Sequence, residues 1–232
     1  MKTKIRLNKY LKDLGICSRR KADEFIEKGY IKVNDVLITE LGFQIDPQID
    51  KIEVLPELYQ EKSQFRYILL NKPIGYVCSK SKADGKSIFE LLPKIEGLTY
   101  AGRLDKDSHG LILLSNDGKF VYSIAGTEFE KEKEYIVRVN KPITTEYLLK
   151  QSNGSIVIDD ILVKPAIVKF ISKFVYKIIL TQGMNRQIRK MAESLNYKVL
   201  DLERTRIDNI IDKNLPLGKW RDLTNEEIKK IK

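Results

Sequence analysis

Histidine is nearly absent from this chain of 232 residues, and His109 is the only one. A metal site built on imidazoles is therefore excluded. A Ser-His-Asp triad would have to use that one residue, and no Gly-x-Ser-x-Gly elbow exists to serve it. Cysteine is almost as scarce. Cys17 and Cys78 form neither a zinc spacing nor a disulfide framework, so a reducing compartment is the simplest fit. Carboxylate clusters of the magnesium type are not evident. Long apolar runs are missing as well. None approaches the roughly 20 residues that a membrane-spanning helix needs. The basic segment 1–6 has no apolar stretch behind it to make a signal peptide. The expectation is a cytoplasmic chain with no metal and no membrane span.

What is plentiful is positive charge. Lys and Arg number 42 against 32 Asp and Glu, a formal net charge of +10. The sequence pI is about 9.3. Such a balance suits a polyanionic partner, although charge alone also fits a soluble protein with solvated lysines. The length allows one or two domains, and 42% hydrophobic residues suffice for a core.

Near the N-terminus, Leu7, Tyr10, Leu11 and Leu14 recur at i, i+3, i+4 and i+7, the apolar stripe of a short helix closed by Gly15. Ser18 is a candidate cap for a second helix carrying Ala22, Phe25 and Ile26, ended by Gly29. Ile31 and Val33 alternate in a strand that turns at Asn34-Asp35. Arg19, Arg20 and Lys21 lie in the first turn of the second helix. There the macrodipole opposes cations by about 0.3–1 kcal/mol each. Stability does not explain them, whereas a phosphate backbone bound at the helix start would. A DNA-reading helix-turn-helix competes with this reading, but the unit is short and runs into a hairpin.

Residues 56–64 are polar and charged and read as a linker between units 1–55 and 65–232. The larger unit opens on a β-rich run, 65–70, then a Pro/Gly turn at Asn71-Lys72-Pro73-Ile74-Gly75. Ser87-x-x-Glu90 and Thr224-x-x-Glu227 are capping boxes. Residues 120–124 and 144–151 read as helices, and 135–139 as a strand. The segment 156–181 reads as several antiparallel strands. This mixture gives an α+β fold on a mixed, mainly antiparallel sheet.

The larger unit is organised around Tyr100 to Gly118. A strand-like entry leads into Gly102-Arg103-Leu104-Asp105, then a polar loop 106–110, an apolar run 111–114 and the turn Asn116-Asp117-Gly118. Asp105 therefore stands on a loop between core strands, where chemistry is usually placed. On its own it is an ordinary turn carboxylate. Further on, Leu180-Thr181-Gln182-Gly183-Met184-Asn185-Arg186-Gln187-Ile188-Arg189-Lys190-Met191 reads as a strand, a glycine turn, and a helix capped by Asn185. Ile188, Met191 and Leu195 make its core face, with Arg186, Arg189 and Lys190 opposite.

Gly-Arg-Leu-Asp followed by Ser-x-Gly-Leu-x-Leu-Leu-Ser-Asn-Asp-Gly resembles the signature of the RsuA/RluB/RluF branch of pseudouridine synthases. Lys133-x-Tyr135, the Asn185-Arg186-Gln187-Ile188-Arg189 run, and the segments 202–207 and 218–223 resemble its remaining motifs. Within the branch the resemblance is to the RluF type. The runs 7–11, 15–22 and 29–34 look like the alpha-L RNA-binding domain of ribosomal proteins, which would take up the unit 1–55. The resemblance implies a cofactor-free enzyme that turns uridine into pseudouridine in a stem-loop of 23S ribosomal RNA, with tyrosine tRNA as a second candidate, acting as a monomer. It implies Asp105 as the catalytic residue, Tyr135 stacking on the target base, and Arg189 pairing with Asp105. It places Leu180 near the flipped base and Arg103 in the gap the base leaves. Asn185, Arg186, Arg19, Arg20 and Lys21 become RNA or pocket contacts. Some relatives of this type carry a longer basic tail after Arg-Asp-Leu, which implies one RNA contact fewer here. Two other readings stay open: a non-catalytic RNA-binding assembly factor, and a hydrolase that uses Asp105 and leaves abasic RNA.

Overall fold

A computed structural model of the chain describes residues 4–55 and 65–231. The stretch 56–64, expected as the linker, lies outside the described residues. The chain divides into two compact units, Met1–Phe65 and Arg66–Lys232.

In the first unit, β1 (Ile5–Arg6) leads into α1 (Leu7–Asp13) and α2 (Arg19–Glu27). The Ser18 hydroxyl accepts the Lys21 N–H and caps α2, as its position before the apolar stripe predicts. β2 (Ile31–Val33) pairs with β3 (Val36–Leu37) on one side and β5 (Ile52–Val54) on the other, while β4 (Gln44–Ile45) pairs with β1. Asn34 and Asp35 both take positive φ, 51° and 64°, the backbone of a tight two-residue hairpin turn. Leu7, Leu11, Ala22, Phe25, Ile26 and Ile31 form the core. Leu14, expected on the same stripe, is 48% exposed, because α1 ends at Asp13 and Leu14 is already its cap.

The second unit is built on a nine-stranded mixed sheet. Its strands are β6 (Tyr67–Lys72), β7 (Thr99–Ala101), β8 (His109–Ser115), β9 (Lys133–Val139), β12 (Ile167–Ser172), β13 (Val175–Leu180), β14 (Val199–Ile207), β15 (Ile210–Ile211) and β16 (Trp220–Asp222). A separate hairpin joins β10 (Val157–Ile158) to β11 (Ile161–Leu162). The order is β12-β13-β9-β14-β8-β6-β16, with β7 beside β8 and β15 beside β14. Only the β14–β8 pairing at the middle is parallel, through Glu203 with His109 and Arg204 with Gly110. A Cβ on Gly110 would lie 2.3 Å from the Arg204 carbonyl oxygen, so only glycine lets the two strands meet there.

Helices α3 (Gly118–Ala125), α4 (Thr145–Ser152), α5 (Gln187–Glu193) and α6 (Asn225–Ile231) complete the unit. Both capping boxes are present. Ser87 with Glu90 opens a 3-10 turn, and Thr224 with Glu227 opens α6. One sheet face carries a core around Ile68, Leu70, Leu104, Ile112 and Leu114. A second core, around Val137, Tyr176, Ile178, Leu180 and Met191, contacts Tyr135, which also packs on the first. Tyr135 thus sits at the seam of two cores.

Candidate active site

Residues 102–108 join β7 to β8, which are antiparallel neighbours. Gly102 takes φ +81°, a left-handed backbone open to glycine. Leu104 is buried beneath the loop, and the Cys78 thiol bonds both its N–H and its carbonyl at 3.4 Å. Asp105 follows, with its side chain 30% exposed. The expected polar loop is shorter than its sequence suggests, because His109 and Gly110 already belong to β8. His109 Nε2 lies 3.1 Å from Asp201 Oδ1, across the parallel junction.

Three buried cations hold this loop from behind. Lys72 is fully buried at the end of β6 and donates to the carbonyls of Pro73, Asp105 and Ser108 at 3.2, 2.9 and 2.6 Å. Burial pushes its ammonium down to about 8, against the opposing pull of nearby Cys78, Asp105 and Asp107. Arg204, 2% exposed, donates to the Leu111 and Arg103 carbonyls at 2.6 and 3.3 Å. Arg189, 6% exposed, donates to the carbonyls of Asp107 and Val199 and to the Ser108 hydroxyl. Each such bond contributes about 1.5–3 kcal/mol, but desolvating each charge costs several kcal/mol. The net stabilisation is therefore small, and the gain lies in a loop whose carbonyls at 103, 105, 107 and 108 are fixed.

The ion pairs differ from those the sequence implies. Arg189 is expected to pair with Asp105. Its Nε instead lies 3.3 Å from Asp107 Oδ2, off the angle of a hydrogen bond, and Arg186 Nη1 lies 3.8 Å from Asp105 Oδ2. Arg186 also forms a two-pronged bond with the Asp107 carboxylate at 3.0 and 3.1 Å. The reason is where the helix starts. Asn185 does not cap it; α5 begins at Gln187, and Arg186 is the cap, with φ 52° and ψ 32°. Asn185 is left exposed. The left-handed backbone at Arg186 costs about 1–2 kcal/mol and turns its side chain toward the loop, while Arg189 faces the interior. Burial raises the Asp107 carboxyl, but the Arg186 bonds and the charges of Arg189 and Arg186 outweigh it, and the net shift is downward.

Tyr135 is half-buried on β9, opposite Ile178 of β13 and Arg204 of β14. Leu180, 4% exposed, ends β13 opposite Lys133. Asp105, Arg186, Tyr135 and Leu180 thus come from four segments of one unit. Arg103 is exposed, and among the described residues its side chain has no hydrogen bond or ion pair. Lys72, Arg204 and Asp107 join the site beyond the residues its motifs imply. Lys72 and Arg204 sit two residues beyond Leu70 and Leu202, where alternation continues inward. Among the described residues no group of His, Cys, Asp and Glu could hold a metal ion, and no helix is long and apolar enough to cross a membrane.

In the first unit, Arg19 and Arg20 are exposed, and Arg19 lines a groove of about 390 Å³ with Lys4, Arg6, Asn8 and Lys9. Lys21 has local partners, which corrects the expectation that stability leaves it unexplained. It pairs with Glu24 at 3.0 Å and lies 5.2 Å from the centre of the Phe25 ring.

One unit thus carries an aspartate on a clamped loop, an arginine 3.8 Å from its carboxylate, and a tyrosine at the seam of two cores. The chain belongs to the RNA pseudouridylate synthase family, which matches residues 66–194, and an S4 domain matches residues 5–48. It is an RNA pseudouridine synthase, an isomerase of uridine in RNA. The dual-specificity RNA pseudouridine synthase RluF of Escherichia coli is 42% identical over 226 residues, covering 97% of this chain and 77% of its own length. The ribosomal large subunit pseudouridine synthase B of Bacillus subtilis is 32% identical over 237 residues, covering 98% of this chain and 95% of its own. A crystal structure of a pseudouridylate synthase matches with TM-score 0.73 at 28% identity, covering 98% of this chain and 99% of that one.

Proposed function

We propose that the protein converts a uridine in a stem-loop of large-subunit ribosomal RNA to pseudouridine in the cytoplasm, as a monomer, with a tyrosine tRNA as second substrate. Residues 1–55 hold the RNA through phosphates at Arg19 and Arg20, residues 56–64 link the units, and 65–232 do the chemistry. The uridine leaves its stack, Arg103 enters the gap, and the base lies against Tyr135 with Leu180 beside it. An aromatic face returns roughly 1–3 kcal/mol of lost stacking. Asp105 attacks C1′ or takes the neighbouring sugar proton. The C1′–N1 bond breaks, the uracil turns, and C5 bonds to C1′. No cofactor takes part.

The observation that carries this reading is the rigid presentation of Asp105. Its backbone carbonyl is held by Lys72, and its carboxylate is left for substrate with Arg186 at its edge. A binding-only factor needs no such clamp. The test is conversion of transcribed ribosomal RNA without added cofactor, read by carbodiimide mapping. Pseudouridine at one position that disappears in Asp105→Asn supports the reading. Abasic RNA, revealed by aniline cleavage, would show a hydrolase, and bound but unmodified RNA an assembly factor.

A further inference from the structure

Lys133 is a half-buried lysine on β9 whose side chain makes no hydrogen bond and no ion pair among the described residues. It pairs across the sheet with Leu180 and lies two residues before Tyr135, so sheet alternation puts all three on one face. Arg204 of β14 is the cross-strand neighbour of Tyr135, and its buried Nη2 also lacks a partner. Two cations therefore lie near the proposed base pocket, and among the described residues neither side chain makes an ion pair.

The charges around Lys133 do not compensate it. Burial lowers its ammonium to about 8, and the Arg204 and Lys131 charges add to that. Asp208, the one neighbouring carboxylate that opposes the shift, is held by Lys131 at 2.9 Å. Leu180 on the facing strand is uncharged. Such an arrangement is unfavourable in the free protein, because like charges near each other in a low-dielectric site repel. It becomes favourable only when negative charge arrives.

The reaction supplies that charge. When C1′–N1 breaks, its electron pair stays with uracil and spreads over N1, O2 and O4. When C5 bonds to C1′, the pair returns to a bond, the C5 proton leaves and N1 gains one. We propose that Lys133 is a further catalytic residue, whose ammonium hydrogen-bonds a uracil carbonyl oxygen and stabilises the uracil anion between the two bonds. Lys133 neither gains nor loses a proton in this step. Arg204, on the neighbouring strand, is a second cation that adds to the positive potential there. An RNA phosphate is the other anion that a lysine could take, but a half-buried position between Leu180 and Tyr135 favours the base. The inference rests on Tyr135 and Leu180 lining the uracil pocket.

The test is single-turnover and steady-state kinetics of the full chain on transcribed RNA. Lys133→Met should lower the rate at saturating RNA about 10²–10³-fold, the usual loss of one charge-stabilising donor. RNA affinity should stay within about threefold and the melting temperature should be unchanged or higher, since an unpaired buried charge is removed. Lys133→Arg should recover part of the rate. Because the Lys133 ammonium is charged below about 8 and lost as pH rises through it, kcat/KM of the wild type should fall near pH 8. That fall should be shallower in Lys133→Arg, where only the contribution of the loop-clamping Lys72, also held near 8, is left. A fall of unchanged size in Lys133→Arg belongs to Lys72 alone and overturns the proposal. A Lys133→Met effect confined to KM assigns the lysine to phosphate and also overturns it, as does a rate loss that tracks a loss of melting temperature. Asp105→Asn separates the two readings. If it is inactive while Lys133→Met is normal, only this inference fails, and if Asp105→Asn is active the pocket itself is misplaced.

Discussion

The two units use positive charge in opposite ways. In the first, Arg19 and Arg20 stand exposed at the start of α2, against its dipole, and Arg19 lines a groove with Lys4, Arg6 and Lys9. In the second, Lys72, Arg189 and Arg204 are at most 6% exposed, and they bond backbone carbonyls of one loop. An exposed cation has its hydration to exchange for a phosphate and costs the fold little. A buried cation has already lost its hydration and must be satisfied internally, so it fixes geometry. Mutations should separate the two kinds through what they change: rate and stability in one unit, affinity and salt dependence in the other.

The largest effect belongs to the residue the clamp presents. Asp105→Asn should remove at least about 10³-fold of the single-turnover rate, with RNA affinity and melting temperature nearly unchanged. A retained rate would mean that the clamped loop presents something other than the catalytic group. Next comes the clamp. Lys72→Met leaves three carbonyls without their donor and should cost about 2–4 kcal/mol of stability, measured by urea unfolding, together with a large loss of rate. Full stability together with a wild-type rate in that variant would show that the buried ammonium is not what fixes the loop.

The arginines of α5 offer a closer comparison, because two cations three residues apart fall into different classes. Arg189 is buried and Arg186 is exposed, with the Asp107 carboxylate between them. Arg189→Ala should lower stability as well as rate. Arg186→Ala should leave the melting temperature within a degree or two and act on rate and affinity through Asp105 and RNA. Asp107→Asn should fall between them, since it releases both arginines. The Asp107 carboxyl lies below its ordinary value in the folded state, so its stabilisation is present above the unfolded carboxylate range. It fades as pH falls through the depressed folded value. The stability difference between wild type and Asp107→Asn should therefore close on acidification, and a gap that widened would reverse the assignment.

Much of this was legible in the sequence, and the limits have physical causes. The alternation at 135–139 and the turn at Asn116-Asp117-Gly118 placed the strands on either side of the site. The motifs placed Asp105 on a loop between strands. What periodicity could not give was the start of α5. Asn185 is a good capping residue, and nothing local says that Arg186 will adopt a left-handed backbone and take the cap. That displacement decides which arginine reaches Asp105. The buried cations escaped for a related reason. Lysine and arginine read as surface residues unless alternation is followed past the last apolar position, to Lys72 after Leu70 and Arg204 after Leu202. Lys21 shows the converse: a cation that looked reserved for RNA has Glu24 and Phe25 to hold it.

The smallest effects should come from the exposed cations of the first unit, and they bear most directly on the comparison. Arg19 and Arg20 gain nothing from the helix they start, and Arg19 faces the groove. If they take phosphates, each contact releases counter-ions from the RNA. Arg19→Ala and Arg20→Ala should then each reduce the slope of log affinity against log salt by about one, and the effect should not depend on RNA sequence. The rate at saturating RNA should stay at the wild-type value, because neither side chain belongs to the loop that presents Asp105. Lys21→Ala should change the slope less and the melting temperature slightly more, since its charge is already shared with Glu24. Equal slopes in all three variants and the wild type would place the RNA elsewhere on the first unit. A fall in saturated rate would mean that this unit does more than hold RNA, and the division between cations that bind and cations that position would fail.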